Sequence, residues 1–222
     1  MKVCTDACIF GAFTAHWIVR NEMRVVSILD IGAGTGLLSL MLAQNQLAEK
    51  VEAVEMEEAA YNQAKQNFED SSWREQLNIY NSDVLKFRPV SQYDFIISNP
   101  PFYEGNLKSG NSKKNTARHS TSLSLEQLLN VITKNLSDGG SFSVILPYHR
   151  NDYFIKIAIE AGYFVTEQLL LRHTALYPFF RSILIFSGIK SIAVYSELAI
   201  KMDNGLYTPE FKDLLKPYYL HL

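Results

Sequence analysis

The sequence predicts an α/β fold built on a mostly parallel sheet, and three observations support this prediction. Short aliphatic runs alternate with helical patterns from residue 25 to residue 187, as in chains whose parallel strands are joined by helical crossovers. The first run leads directly into a glycine-rich turn at residues 32–36. The last two runs follow each other without a helix between them, which predicts that one antiparallel strand joins the sheet.

The elements of the first half are predicted from hydrophobic runs and periodicity. Runs rich in Val, Ile and Leu indicate buried strands, and the longer patterns with polar faces indicate helices. Strands are predicted at 25–31, 50–55, 77–81 and 93–98, and helices at 37–43 and 57–68.

The second half begins with a well-marked helix. Ser124 and Gln127 form a capping-box pattern, and an apolar stripe continues from Leu125 to Leu136 before Gly139-Gly140. Thr208-Pro209 is typical of a helix start, with a capping residue followed by proline. Further strands are predicted at 141–147, 164–172 and 181–187, with a helix at 151–161 between the first two.

We expect one domain, residues 1–222, with an N-terminal segment (1–24), a core (25–187) and a C-terminal extension (188–222). The sequence leaves open whether this extension contacts substrate or only packs against the sheet. With 47% hydrophobic and 20% charged residues, the 222-residue chain can bury a substantial core.

Composition also bears on location and partners. The net charge of −2 is not that of a general nucleic-acid coat protein. Apolar stretches are too short for a membrane span, and Cys4 and Cys8 do not form a C-x-x-C pair. We therefore expect a cytoplasmic protein with no membrane partner and no metal.

The glycine-rich turn predicts a cofactor site. Glycines between a strand and a helix let a ligand approach the backbone, and N–H groups at the helix start are available to a polar group. The third glycine, Gly36, comes one position earlier than in the dinucleotide pattern G-x-G-x-x-G, where Leu37 stands instead. Asp30, Gly32, Gly34 and Gly36 are the candidate binding residues.

Two acidic residues follow neighbouring predicted strands. Glu55 ends the second strand, where a carboxylate can accept hydrogen bonds from both ribose hydroxyls of a nucleoside. Asp83 follows the third strand, where it can accept the amine of an adenine. An exposed loop carboxylate is the alternative interpretation of each.

Asn99-Pro100-Pro101-Phe102 follows the fourth strand and predicts chemistry on a planar nitrogen. The lone pair of such an amine is delocalised, and acceptors on its two N–H bonds can restore it to the nitrogen. Asn99 Oδ1 and the Pro100 carbonyl are the candidate acceptors, and Phe102 offers a face for stacking. The alternative is a Pro-Pro strand terminator with a buried phenylalanine behind it.

A basic segment at residues 104–119 follows the tetrad. Its only acid is Glu104, and its glycines and asparagines favour a loop. We expect it to contact RNA phosphates around an extruded base, although a solvated loop is the alternative. The candidate RNA-contacting residues are Lys108, Lys113, Lys114, Arg118 and His119, the last as a stacking or polar group.

These motifs together resemble class I methyltransferases with an N-P-P-F tetrad, and most closely the tRNA1(Val) adenine-37 N6-methyltransferase family. The similarity extends to residues 1–7, 10–13, 99–103, 117–119, 122–124, 207–211 and 219–222. It implies a Rossmann-like, mostly parallel seven-stranded sheet with one antiparallel strand and helices on both faces.

The resemblance also implies S-adenosylmethionine as cofactor and the N6 of a tRNA adenine as methyl acceptor. It makes Thr5 and Asp6 accessory cofactor residues, with a helix-entry turn as the alternative. The same tetrad resembles guanine-N2 rRNA and release-factor glutamine-N5 methyltransferases. A non-catalytic cofactor-binding or RNA-binding module is a further alternative, whereas the glycine spacing disfavours an NAD oxidoreductase.

Overall fold

The computed structural model describes residues 4–100 and 123–221, which form one eight-stranded sheet with helices on both faces. The strand order is β3-β2-β1-β4-β5-β7-β6-β8. This confirms the predicted α/β, mostly parallel architecture and adds an eighth strand to the seven expected. The strands are β1 Ser27–Ile31, β2 Lys50–Glu55, β3 Leu77–Asn81, β4 Tyr93–Ser98, β5 Leu136–Pro147, β6 Phe164–Arg172, β7 Arg181–Ser187 and β8 Val194–Ala199.

Because most strands run in the same direction, the segments that follow them lie along one edge of the sheet. β7 runs antiparallel to both β5 and β6, as predicted, and the other strand pairs are parallel. The carboxyl ends of seven strands and the start of β7 therefore lie at the same edge. We call it the carboxyl edge, which is where ligands bind in open α/β sheets.

Successive side chains of each central strand point to opposite faces of the sheet, and helices pack on both faces. Ile28 and Phe95 face a cluster that includes α1 and α2, whereas Leu29 and Ile96 face α4 and α5. This alternation buries both faces of the central strands. The helices are α1 Thr5–Arg20, α2 Leu37–Gln44, α3 Glu58–Glu69, α4 Leu125–Asn135, α5 Asn151–Glu160 and α6 Pro209–Leu215, with 3-10 turns at Arg74–Gln76 and Tyr148–Arg150.

Two predicted helix starts are confirmed in detail. The Ser124 hydroxyl accepts the Gln127 N–H, and the Gln127 side chain accepts the Ser124 N–H, which completes the capping box of α4. The Thr208 hydroxyl accepts the Phe211 N–H at 3.2 Å, with Pro209 in the first turn of α6. Such caps each contribute about 1 kcal/mol.

The C-terminal extension is an integral part of the sheet and core. β8 pairs in parallel with β6 along its whole length, from Glu167 opposite Val194 to Arg172 opposite Ala199. α6 buries Phe211 and Leu215 in the cluster that includes α1. Packing against the sheet, which the sequence left as one of two options, therefore accounts for this part of the extension.

Candidate active site

Four adjacent strands bring the glycine turn, Glu55, Asp83 and Asn99 to the same edge of the sheet. β3, β2, β1 and β4 are neighbours in the sheet, with Glu55 opposite Asn81 and Ile31 opposite both Val54 and Ser98. Neighbouring strands lie about 4.8 Å apart. The described residues that directly follow these four strand ends therefore lie side by side at the carboxyl edge.

The glycine turn adopts a conformation that L side chains rarely take. The φ angles of Gly32, Gly34 and Gly36 are +72°, +57° and +81°. Their amides already have acceptors within the protein: Gly32 donates to the Val54 carbonyl at 2.9 Å, and Gly36 donates to the Ala33 carbonyl at 2.9 Å. The N–H groups of these glycines are thus less available to a cofactor than the sequence suggested.

Gly32 and Gly36 differ in how much space surrounds the position of a Cβ atom. A Cβ added at Gly32 would meet no atom within 4 Å, so the turn is open at this position. A Cβ at Gly36 would lie 2.4 Å from Phe68 Cε1, so the turn is packed tightly against α3 there. The residues therefore fit a ligand that rests on the bare backbone near Gly32.

Glu55 is held directly beside this turn. Its Oε2 accepts the Gly34 N–H at 2.8 Å, and its Oε1 accepts the Glu57 N–H at 2.8 Å. Each carboxylate oxygen can accept a second hydrogen bond. The carboxylate therefore fixes the turn and retains the capacity to accept ribose hydroxyls.

Asp30 is fully buried beneath the turn. Its Oδ2 accepts the Ser39 hydroxyl at 2.7 Å and the Ser39 N–H at 3.2 Å, while its buried Oδ1 has no partner among the described residues. Burial raises the pKa of Asp30 from 3.8 to about 7; the Ser39 hydrogen bonds oppose this rise and the charge of Glu55 adds to it. An ionised Asp30 would favour a cationic ligand above it.

Replacing Asp30 with asparagine is expected to remove a pH-dependent loss of stability. Between the unfolded pKa of 3.8 and the folded pKa of about 7, the folded state binds more protons than the unfolded state. Wild-type stability therefore falls as pH rises through this window. In denaturant titrations without cofactor, the free energy of unfolding of Asp30→Asn minus that of the wild type should grow by up to about 4 kcal/mol from pH ~4 to ~7. A difference that stays constant with pH would contradict this assignment.

Asp83 lies at the turn after β3. Its Oδ1 accepts the Leu85 N–H at 2.9 Å, and its carbonyl accepts the N–H groups of Lys86 and Phe87. The side chain is half-buried. Asp83 therefore shapes this turn at the carboxyl edge, and its contact with the adenine of a cofactor stays a prediction.

Asn99 is anchored to the glycine turn through the preceding residue. The buried Ser98 hydroxyl donates to the Ile31 carbonyl at 2.9 Å, immediately before Gly32. Asn99 is half-buried and Pro100 is buried. The remaining tetrad residues and the basic loop lie outside the described residues: Pro101, Phe102, Lys108, Lys113, Lys114, Arg118 and His119.

Thr5 and Asp6 form the first turn of α1. Cys4, not either of them, occupies the N-cap, and it makes no side-chain capping bond. Asp6 Oδ2 accepts a hydrogen bond from Arg181 Nε at 3.1 Å, which ties the start of α1 to the start of β7 at the carboxyl edge. The helix-entry alternative thus describes their position, and a role in cofactor binding stays a prediction.

Sequence reasoning missed two residues that support the site. Ser39 holds Asp30 from the first turns of α2. Asn81 donates to the carbonyls of Glu55 and Met56 at 3.0 and 3.2 Å and so fixes the segment after β2. The available signal for Asn81 was its position at the end of a strand next to that of Glu55.

The described residues contain neither a metal-binding cluster nor a membrane-spanning helix. Across residues 4–100 and 123–221, no three His, Cys, Asp or Glu side chains group as a metal site requires. In the same part of the chain, no helix combines the length and apolarity needed to cross a bilayer.

Comparison with known proteins relates this chain to a family of methyltransferases. The model of the methyltransferase small domain matches residues 18–151. A relative from Flavobacterium psychrophilum, named tRNA1(Val) (adenine(37)-N6)-methyltransferase, is 38% identical over 100% of this chain and 94% of its own.

Solved structures share the fold at low sequence identity. A predicted O-methyltransferase from Agrobacterium tumefaciens has a TM-score of 0.71 and 16% identity, covering 97% of each chain. An N-methyltransferase from Bradyrhizobium japonicum, in complex with S-adenosyl-L-homocysteine, has a TM-score of 0.58 and 14% identity, covering 81% of this chain and 86% of that chain.

Fold and site together define an S-adenosylmethionine-dependent methyltransferase with a Rossmann-like sheet. The open turn at Gly32, the buried carboxylate of Asp30 and the strand-end carboxylate of Glu55 fit that cofactor. Within this class, the chain belongs to the methyltransferase small-domain family and, by its full-length similarity, to the tRNA1(Val) (adenine(37)-N6)-methyltransferase family.

Proposed function

We propose that the protein transfers a methyl group from S-adenosylmethionine to the exocyclic N6 of an adenine in tRNA, at position 37 of tRNA1(Val). The proposal depends mainly on one observation, the hydrogen bond from the Ser98 hydroxyl to the Ile31 carbonyl. This bond holds Asn99 and Pro100, which follow Ser98, next to the glycine turn, which follows Ile31. The name of the 38% identical relative supports the choice of nucleotide. Cytoplasmic tRNA as substrate and residues 1–222 as one domain are part of this proposal.

The residues after β4 would activate the amine by accepting its protons in hydrogen bonds. Asn99 Oδ1 and the Pro100 carbonyl each accept one N–H, which draws the nitrogen toward a tetrahedral shape and returns its lone pair. When bound, the cofactor supplies an electrophilic methyl group on a sulfonium. The amine held by Asn99 and Pro100 would accept this methyl group, and its surplus proton would then pass to water. Phe102 would stack on the adenine, with Pro101 fixing the loop.

The residues after β1, β2 and β3 would hold the cofactor in reach of that nitrogen. Gly32, Gly34 and Gly36 shape the turn, and Asp30 in its ionised form would supply negative potential below it. Rate acceleration then comes from positioning two reactants and from polarising the amine, without a strong general base. Glu55 would bind the ribose, Asp83 the adenine of the cofactor, and Thr5 and Asp6 would be accessory contacts.

Glu55→Ala is expected to weaken cofactor binding by about 10- to 100-fold. The variant loses the acceptors for two hydroxyls and also releases the Gly34 N–H that Glu55 now holds. Calorimetric titration with S-adenosylmethionine measures the change. Glu58→Ala, at an exposed position in the first turn of α3, is the matched control and should bind as the wild type does. Equal affinity in both variants would remove Glu55 from the cofactor site.

The proposed function is tested with methyl-labelled cofactor and three acceptors: unmodified tRNA1(Val), ribosomal RNA and a release factor. We expect label in tRNA alone, and nucleoside analysis should identify it as N6-methyladenosine. A transcript with guanosine at position 37 is the control and should take up no label. Label in N2-methylguanosine or in a glutamine side chain would overturn the proposal in favour of the corresponding alternative.

A further inference from the structure

Aromatic and cationic side chains cluster at the carboxyl edge on the side of Asn99 away from the cofactor turn. They belong to residues 148–150, which follow β5, and to residues 172–181, which connect β6 to β7. We call these two segments the aromatic-arginine patch. Together they contain three arginines, two histidines and four aromatic residues but no aspartate or glutamate. This composition contrasts with the net charge of −2 of the whole chain.

The rings of the patch are held in place by specific contacts. The Tyr148 ring lies 5.5 Å from that of Phe179, and the Arg172 guanidinium lies over Phe179 at 5.3 Å. His173 stacks on Phe180 at 4.3 Å between ring centroids. The backbone adds to this order, because the Tyr148 N–H donates to the Phe180 carbonyl at 3.2 Å. The patch is therefore a preformed surface that a ligand does not have to order.

The arginines divide into structural and exposed members. Arg172 pairs with Glu197 at 2.9 Å, and Arg181 pairs with Asp6 at 3.1 Å, so both hold the segment 172–181 in place. Arg150 is exposed, and its guanidinium lies 5.3 Å from the centre of the Tyr153 ring. Tyr153 in turn donates to Glu126, whose charge interacts with that of Arg150. Because its side chain is exposed, Arg150 is the arginine of the patch that is placed to meet a phosphate.

Several apolar surfaces of the patch face solvent. The side chains of Tyr148 and Tyr177 are 42% and 59% exposed, and Leu176 is 80% exposed. Exposed aromatic rings interleaved with cations are the surface on which single-stranded bases stack while the backbone is neutralised. A duplex would instead require a row of backbone contacts without stacking platforms.

Sheet geometry sets the distance from the patch to the reaction site. Ser98 of β4 is opposite Val144 of β5, and Pro147 of β5 is opposite Arg181 of β7. The patch therefore begins one strand from Asn99 and extends over the next two strands, or about 5 to 15 Å at the usual strand spacing. Nucleotides that flank an extruded base would fall within this range.

We propose that the aromatic-arginine patch binds the single-stranded RNA that flanks the target adenine, with Tyr177 stacking on a base and Arg150 contacting a phosphate. This inference rests on the proposed function, since it takes RNA as the substrate. It assigns RNA recognition to segments after β5 and β6, in addition to the basic segment at residues 104–119.

The proposal is tested by measuring binding of an unmodified anticodon stem-loop RNA by fluorescence anisotropy at several salt concentrations. Tyr177→Ala should weaken binding about tenfold and leave the salt dependence unchanged, whereas Tyr177→Phe should bind as the wild type does. Arg150→Ala should weaken binding several-fold and reduce the slope of log Kd against log salt by about 0.7, the value for one phosphate on a single strand. Cofactor affinity and Tm should be unchanged in all of these variants.

Matched controls come from the opposite edge of the sheet. Tyr195, which is 71% exposed near the start of β8, and the exposed Arg24, before β1, are replaced by alanine and should leave RNA binding unchanged. The proposal that the patch binds RNA would be overturned if Tyr177→Ala and Arg150→Ala both bound the stem-loop as the wild type does. It would also be overturned if the wild-type protein did not bind the stem-loop. The proposed function fails separately, if RNA binds through the patch but its adenine takes up no label.

Discussion

Replacing Asn99 with alanine is expected to lower kcat for methyl transfer by about 10²- to 10³-fold, with little change in cofactor affinity. The substitution removes one of the two acceptors that would polarise the amine. Most of the proposed cofactor residues lie on or directly after β1, β2 and β3, on the other side of the Ser98–Ile31 contact from Asn99. Single-turnover rates and calorimetric titration with S-adenosylmethionine separate these two effects.

Two further variants sharpen this test. Asn99→Asp keeps the acceptor oxygen and should retain more activity than Asn99→Ala, which a purely structural role of the amide would not produce. Asn130→Ala, at an exposed position of α4, removes the same side chain far from the site and should leave kcat unchanged. If Asn99→Ala lost cofactor affinity together with activity, the proposal that Asn99 acts on the substrate amine and not on the cofactor would be contradicted.

Gly36→Ala is expected to destabilise the protein by about 2 to 4 kcal/mol and to disrupt cofactor binding. The φ of +81° penalises any L side chain, and the new Cβ would lie 2.4 Å from Phe68 Cε1. Phe68 is buried against Ala64 and Ala53, so its ring has little room to move. Relief of the clash must shift the turn itself. Thermal unfolding should show Tm lowered by about 5 to 15 °C.

Alanine substitutions at two other glycines distinguish the cost of backbone strain from the cost of the clash with Phe68. Gly162 has a φ of +88° and open space around its Cβ position, so Gly162→Ala should cost only the backbone strain of about 1 to 2 kcal/mol. Gly32→Ala carries similar strain, but its methyl group enters the open side of the turn and should weaken cofactor binding as well. Equal destabilisation in Gly36→Ala and Gly162→Ala would mean that the Phe68 contact does not constrain the turn.

Most strands were predictable because local runs of apolar residues indicate which segments are buried. β6 and β7 begin and end at the predicted residues, since both are apolar runs bounded by turn residues. β5 begins at Leu136, five residues before its predicted start. Gly139-Gly140 indicated a helix end, whereas Gly139, with φ +79°, lies inside an irregular first part of the strand. Helix α4 and strand β5 thus adjoin directly, which no periodicity rule anticipates.

Two elements were missed because their environment is set by distant parts of the chain. α1 is buried on nearly all sides, so it has no polar face to reveal its helical period. β8 has exposed residues at its start, including Val194 and Tyr195, and gains its strand conformation by pairing with β6. A similar limit applied to the site. The positions of Glu55 and Asn99 followed from strand ends, but the support from Ser39 to Asp30 depends on how α2 docks.

The hydrogen bond between Ser98 and the Ile31 carbonyl has a consequence for how such proteins diversify. It spans 67 residues of sequence and fixes two loop origins on adjacent strands of a rigid sheet. Under the proposed mechanism, the spacing between methyl donor and methyl acceptor would be set by the sheet, not by the segments that select the acceptor. The segments after β4, β5 and β6 could then change their preference for one planar nitrogen or another without altering the distance over which the methyl group is transferred.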